Sequence, residues 1–291
     1  MNIWCNYQQS RAMIIKTFKW LVGLLVSVFM GGRRTTPREK KEQPKKKSNP
    51  FDEMHIEQTY LRLERDELID RRKGCGLDLV CSMHLKSGKG MFVISHGSIV
   101  DFSSPNPSRS AIVNAANEHC LGGGGVDGAI SDAGGPRLLK DRRELPIDKN
   151  VYGAGIRCPT GQVRVTGPNK YGRLNVEYVI HAVGPNYFKV QRSRNAIDYA
   201  DSMLRSAYTL SLEWAKYFKL EYVAFSLLSA GIFSGSRSKK GILEIAVRSI
   251  LDFDPYDELK EIHICAYTDA ETKLLQEIIS EIIDGKENMY C

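Results

Sequence analysis

Apolar positions follow one pattern before residue 77 and another after it, and the change marks the start of a folded domain. Trp20–Met30 (WLVGLLVSVFM) is a single apolar run, residues 33–50 have no apolar period, and Phe51–Lys73 places Met54, Leu61 and Leu68 at seven-residue intervals. The last of these predicts an amphipathic helix lying on the domain. From Leu77 the chain reads as strands, LDLVCSMHL and MFVISHGSI, separated by the turn-rich Lys86–Gly90, with a third at Ser110–Ala116. Two helical stretches, Val126–Ala133 and Arg137–Glu144, are followed by GQVRVTG and a strand at Tyr178–Ala182. A helix over 197–218 carries Ile197, Ala200, Leu204, Ala207, Tyr208 and Ala215 on one stripe. Tyr222–Leu228 (YVAFSLL) is continuously apolar, the pattern of a central strand covered on both faces. A helix bearing Ile242, Ile245, Ala246 and Ile250, a strand at Ile262–Tyr267 and a final helix complete the order. Thr268 and Glu271 have capping-box spacing at the start of that helix, and Leu274, Leu275, Ile278, Ile279 and Ile282 form its apolar face.

Strands alternating with helices predict an α/β fold, a three-layer α/β/α sandwich around a mixed, mostly parallel central sheet. In such a sheet ligands gather at the carboxyl ends of the strands.

Charge and length divide the chain into an apolar leader (residues 1–32), a basic linker (33–50), an N-terminal helical extension (51–76) and the main domain (77–291). The net charge is +7; the leader carries +3 and the linker +6, which leaves residues 51–291 at about −2. The folded part has no positive surplus, so specific nucleic-acid binding is not expected. The linker has three prolines and dense like charge, the composition of a solvated segment. An eleven-residue apolar run is too short to span a bilayer as a helix. The leader is therefore left as a membrane anchor, a targeting signal or a leader without function, with residues 12–47 as the candidate membrane contact. Seven scattered cysteines have neither a C-x-x-C pair nor a zinc-type Cys/His spacing. They read as reduced thiols in a cytoplasmic or nuclear compartment, with no metal and no cofactor expected, and the domain is expected to be a monomer.

The most informative stretch is AIVNAANEHCLGGGGVDGAISDAGG, residues 111–135. A buried strand runs through Asn114 to Asn117, then Gly122, Gly123, Gly124 and Gly125, and then a helix opened by Val126 and Asp127. Four glycines weaken a fold entropically, so something must require the bare backbone. A phosphate- or ribose-bearing ligand would: side-chain-free turns let N–H groups approach its oxygens, and the helix start adds partial positive charge. Asn117 offers a donor and an acceptor for hydroxyls, and Asp127 an acceptor for a hydroxyl or a water. The blander alternative is a tight turn with Asp127 as a helix-start residue. A second loop, LSAGIFSG, again joins a buried strand to a helix. There Ser229, Gly231, Ser234 and Gly235 suit a second anion cradle, with Ala230 among the expected ligand-binding residues, while Ile232 and Phe233 are apolar where a solvated turn would be polar. Neither loop has a Walker lysine or a dinucleotide-binding glycine spacing.

NAAN followed by LGGGGVDGAI, then HAVGP at His181–Pro185, then SAGIFSG, resembles the macrodomain family, most closely its mono-ADP-ribosyl-protein hydrolases. The resemblance covers about 200 residues in the right order. It implies that the two glycine loops clasp the diphosphate of ADP-ribose and that Asn117 and Asp127 act at the distal ribose and its attacking water. It further implies that Phe233 lies beside that ribose, Tyr267 stacks on adenine, and Ser98 and Ile99 meet the adenine edge. The implied partners are ADP-ribose and mono-ADP-ribosylated proteins.

Two residues depart from the family pattern. Ser98 stands where the family has an aspartate for the adenine amino group, and a neutral acceptor is weaker than a charged one. Ser131 stands where the hydrolases have a histidine, and serine supplies no imidazole acid–base chemistry. The reading is therefore an ADP-ribosyl-protein hydrolase, with a non-catalytic reader of ADP-ribosylated protein as the alternative. Unselective nucleotide binding is the third class. His181, Cys120 and Cys158 are read as core or loop residues, and His119 as solvent-exposed.

Overall fold

The computed structural model describes residues 76–151 and 154–287. The leader, the linker and the helix expected over 51–73 lie outside the described residues. Seven strands form one sheet: β1 (Asp78–His84), β2 (Met91–His96), β3 (Ser110–Ala115), β4 (Val163–Thr166), β5 (Tyr178–Ala182), β6 (Tyr222–Phe225) and β7 (Glu261–Ala266). Their spatial order is β1-β2-β7-β6-β3-β5-β4. The five inner strands are parallel, and β1 and β4 run antiparallel along the two edges. The helices are α1 (Gly125–Glu144), α2 (Arg194–Tyr217), α3 (Lys239–Leu251) and α4 (Asp269–Glu287).

The continuous apolar runs of the inner strands feed two separate cores. Phe92, Ile94, Ala111, Val113, Val223, Phe225, Ile262 and Ile264 face α2, α3 and α4, which supply Leu204, Leu212, Ile242, Ile250, Leu275 and Ile278. The alternating partners Met91, Val93, Ile112, Tyr222 and Ala224 face Ile130, Ala133 and Leu138 of α1. Period-two alternation into two apolar layers requires that both faces be covered, and three layers follow.

Local chemistry sets the element ends. Ser193 and Ser238 cap α2 and α3, their hydroxyls accepting from Ala196 N and Gly241 N. At α4, Glu271 N donates to Thr268 Oγ1 while the Glu271 carboxylate accepts from Thr268 N, the reciprocal capping box. The two helical stretches expected over 126–144 are present within α1, separated where the backbone leaves helical geometry at Gly135 (φ 63°, ψ −161°), which precedes Pro136. Pro136 lacks an N–H and disfavours helical dihedrals in the residue before it, and glycine tolerates the alternative. Strand β6 stops at Phe225, three residues before the expected Leu228. There the Ser226 hydroxyl donates to Val113 O (2.7 Å) and accepts from Ala115 N (3.1 Å), so a side chain takes over the ladder and frees the following backbone for a loop.

Candidate functional site

The expected site residues lie along the edge where the parallel strands end. His96 pairs with Ala266, so Ser98 and Tyr267 leave neighbouring strands at one end. Val113 pairs with Phe225, so the two glycine-bearing loops rise side by side from β3 and β6. A cavity of about 570 Å³ takes Asn117 from the first loop and Phe233 from the second.

Within the first loop Asn117 braces the turn: its Nδ2 donates to Gly122 O (2.8 Å) and its Oδ1 accepts from His119 N (3.1 Å). Gly122 (φ 111°) and Gly125 (φ 60°) occupy the left-handed region that side chains resist. Gly123 is glycine for a different reason. A Cβ there would lie 3.0 Å from Asn117 Nδ2 and 3.1 Å from Asp127 Oδ2, so its backbone covers both polar atoms closely. A Cβ on Gly124 would meet nothing within 4 Å, which puts that backbone on the open side.

The second loop is pinned rather than free. Ser229 (φ 57°) is buried, and its hydroxyl donates to Pro185 O (2.8 Å) in the chain leaving β5. The Ser229 side chain, expected in an anion cradle, is thus committed to structure, and what it can offer a ligand is backbone. Ala230 is also buried, Gly231 is exposed, and Ile232–Ser234 form a short 3-10 turn in which Phe233 and Ser234 are half-buried. Ile232 stands 73% exposed.

Asp127, in the first turn of α1, belongs to a buried polar network. Its Oδ1 accepts from Asn114 Nδ2 and from Arg142 Nη2, each at 2.7 Å, while Oδ2 has no hydrogen-bond partner among the described residues. Asn114 also donates to His181 Nδ1 (3.2 Å), so the neutral ring carries its proton on Nε2 and donates to Thr166 Oγ1 (3.1 Å). Burial, with Arg142 adding to it, holds the His181 pKa well below its ordinary value. His181 is the satisfied core histidine that its strand position predicted. Asn114, expected to touch ligand, is fully buried and instead orients Asp127.

The Macro domain sequence profile matches residues 113–250. A macro domain-containing protein of Caldanaerobacter subterraneus is 34% identical over 186 residues, covering 64% of this chain and 94% of that protein. One of Vibrio parahaemolyticus is 44% identical over 126 residues, covering 42% of this chain and 64% of that protein. Among solved structures, the Oceanobacillus iheyensis macrodomain with ADP is similar at a TM-score of 0.56 and 29% identity, covering 70% of this chain and 97% of that one. The Trypanosoma brucei macrodomain in complex with ADP-ribose is similar at 0.51 and 28%, covering 65% and 68%. This chain belongs to the macro domain family.

Arg142 is the residue of this macro domain that sequence reasoning missed. Only 1% exposed, it donates through Nε to Cys120 O, through Nη1 to Ser131 Oγ (2.9 Å) and through Nη2 to Asp127. One guanidinium thereby ties the loop, the helix and the carboxylate together. Ser131 Oγ in turn donates to Asp127 O (2.7 Å), so the serine at the position of the expected histidine is a structural link. A signal was present: Arg142 follows the buried Leu138 by four residues and shares its inward helix face.

Val126, in the first turn of α1, is half-buried; at the other end of the macro domain edge, Ile99 is buried and Ser98 half-buried. The Tyr267 ring stands 72% exposed while its N–H donates to the Glu271 carboxylate (3.2 Å). His119 is exposed, and Cys120 and Cys158 pack in a small apolar cluster with Ala116 and Val183.

Proposed function

We propose that this macro domain binds ADP-ribose along the sheet edge and hydrolyses the bond joining its distal ribose to an acidic side chain of a modified protein. One observation carries the reading: the unpartnered Asp127 Oδ2 lies directly beneath the bare backbone of Gly123, beside Asn117 Nδ2. An acceptor fixed by an ion pair, next to an amide donor and roofed by a turn without side chains, suits a ribose hydroxyl and an attacking water. The solved relatives holding ADP and ADP-ribose support the ligand class.

In this account adenine lies between Ser98 and Tyr267, the diphosphate over the amides of Gly122–Val126 and of Ser229–Ser234, and the distal ribose between Asn117 and Phe233. Asp127 positions the water. The water oxygen bonds to C1 of the ribose as the bond from C1 to the acceptor oxygen breaks. The acceptor leaves as a carboxylate, and the proton of the water passes to a diphosphate oxygen or to solvent. The loop amides steady the charge that develops.

A reader that binds without cleaving is the second reading, favoured by Ser131, which is tied to Arg142 and the Asp127 carbonyl and offers no imidazole. One assay separates the two. Full-length protein is incubated with a mono-ADP-ribosylated substrate while free ADP-ribose is followed. Hydrolysis predicts multiple turnovers, lost in Asp127→Asn, whereas binding without release at stoichiometric protein leaves the reader.

A further inference from the structure

The cavity that begins at Asn117 and Phe233 does not run back toward the adenine end. It continues past β5, over Val183–Pro185, to a wall made by Ala196, Tyr199 and Met203 in the first turns of α2. In the proposed pose this space lies beyond the distal ribose, where the modified side chain and its flanking residues must sit.

The mouth has the marks of a protein-docking surface. Tyr199, which lines the cavity, and Phe188, next in sequence to the lining Lys189, are 67% and 73% exposed, among the few large apolar side chains open to solvent in the described residues. The segment from Asn186 to Arg194 (NYFKVQRSR) carries Lys189, Arg192 and Arg194 with no acid, although residues 51–291 as a whole are slightly acidic. Lys189 lines the cavity and, like Arg192, is exposed. One acid, Glu118, lines the cavity and keeps its charge while its carboxylate accepts from Thr160 N and Oγ1; of the acids on α2, Asp198 faces Arg194 at 3.9 Å and Asp201 pairs with Arg237.

We infer that this cavity is the acceptor-peptide site and that Lys189 and Arg192 select ADP-ribosylated segments flanked by acidic residues. The inference rests on the ADP-ribose reading above and gives it a substrate class. Phe188 and Tyr199 supply apolar contact for the peptide backbone and the stems of its side chains, and the two cations supply the choice of sequence.

The test uses full-length protein and two peptides of equal length, each carrying ADP-ribose through a hydrolysis-resistant linkage, one with Asp/Glu flanks and one with Ser/Gln flanks. Free ADP-ribose is the control. The acidic peptide is expected to bind about fivefold more tightly, as two rim charge pairs allow. That preference shrinks in high salt. In Lys189→Glu/Arg192→Glu the ratio falls to one or reverses while the affinity for free ADP-ribose stays unchanged. Equal binding of the two peptides to wild type, with free ADP-ribose still bound, overturns this inference alone. Absence of binding to free ADP-ribose overturns the reading beneath it, and this inference with it.

Discussion

The two ends of the ligand-facing edge are built on opposite principles. Where β3 ends, Asn114, Asp127 and Arg142 are buried and joined by hydrogen bonds of 2.7 Å, with His181 and Thr166 extending the chain into the sheet. Where β2 and β7 end, a half-buried serine and an exposed tyrosine ring stand at the surface. The first end fixes atoms in place, and the second presents contact area. Chemistry that depends on position belongs at the wired end, and affinity that can be tuned without unfolding belongs at the open one.

The largest effect expected from this contrast is on folding. Arg142→Met leaves the Asp127 carboxylate buried without its cation and is expected to lower stability by about 3–5 kcal/mol in denaturant unfolding. Adding Asp127→Asn to it should restore part of the loss, because no uncompensated charge then remains. A purely additive loss would mean that the pair is not coupled.

At the open end, Tyr267→Ala is expected to weaken ADP-ribose binding by about 1–3 kcal/mol, the range for loss of a base–aromatic stack. Its stability should stay within about 0.5 kcal/mol of wild type, as for an exposed position. A melting temperature that falls along with the affinity would show that the ring is structural.

The wired end also makes stability depend on pH. The folded-state pKa of His181 is depressed by burial, so the unfolded chain binds a proton there first. Stability is therefore full above the unfolded value of about 6.5 and declines as pH falls toward the folded value, by at most about 1.4 kcal/mol per pH unit from this group. His181→Gln, compared with wild type by urea unfolding at pH 7.5 and 5.5, should be less stable overall but show a smaller drop. An equal drop removes His181 as the cause.

The smallest change is a gain. Ser98→Asp supplies a charged acceptor at the open end and should tighten ADP-ribose binding by about 1 kcal/mol, the difference between a neutral and a charge-assisted hydrogen bond. AMP should gain as much as ADP-ribose if the effect sits at adenine.

Much of this is legible in the amino-acid sequence. The doubly covered strands, the break before Pro136, the Thr268–Glu271 box and both glycine loops each leave a local signature, because each is set by neighbours within a few residues. Order in the sheet and the antiparallel edges are set by partners far along the chain, and no local pattern encodes them. Arg142 was hidden for a related reason: an arginine on a helix reads as surface charge, and only the kink at Gly135 and the return of the chain against the first loop bury it. The sequence marks Asn114 on a strand and Ser229 in the second loop, but which way a polar side chain turns depends on a partner, His181 or Pro185, that the sequence does not mark as near.

The central claim is that two side-chain-poor turns at this edge hold a nucleotide diphosphate sugar. Calorimetry of the full-length chain with ADP-ribose, AMP and ADP tests it most directly, alongside Gly123→Val, whose side chain would press on Asn117 and Asp127. One saturable site for ADP-ribose is expected, with weaker binding of AMP and loss of ADP-ribose binding by about tenfold or more in the variant, roughly the cost of overpacking a tight contact. Absence of saturable binding to wild type, or binding that Gly123→Val leaves unchanged, would contradict it.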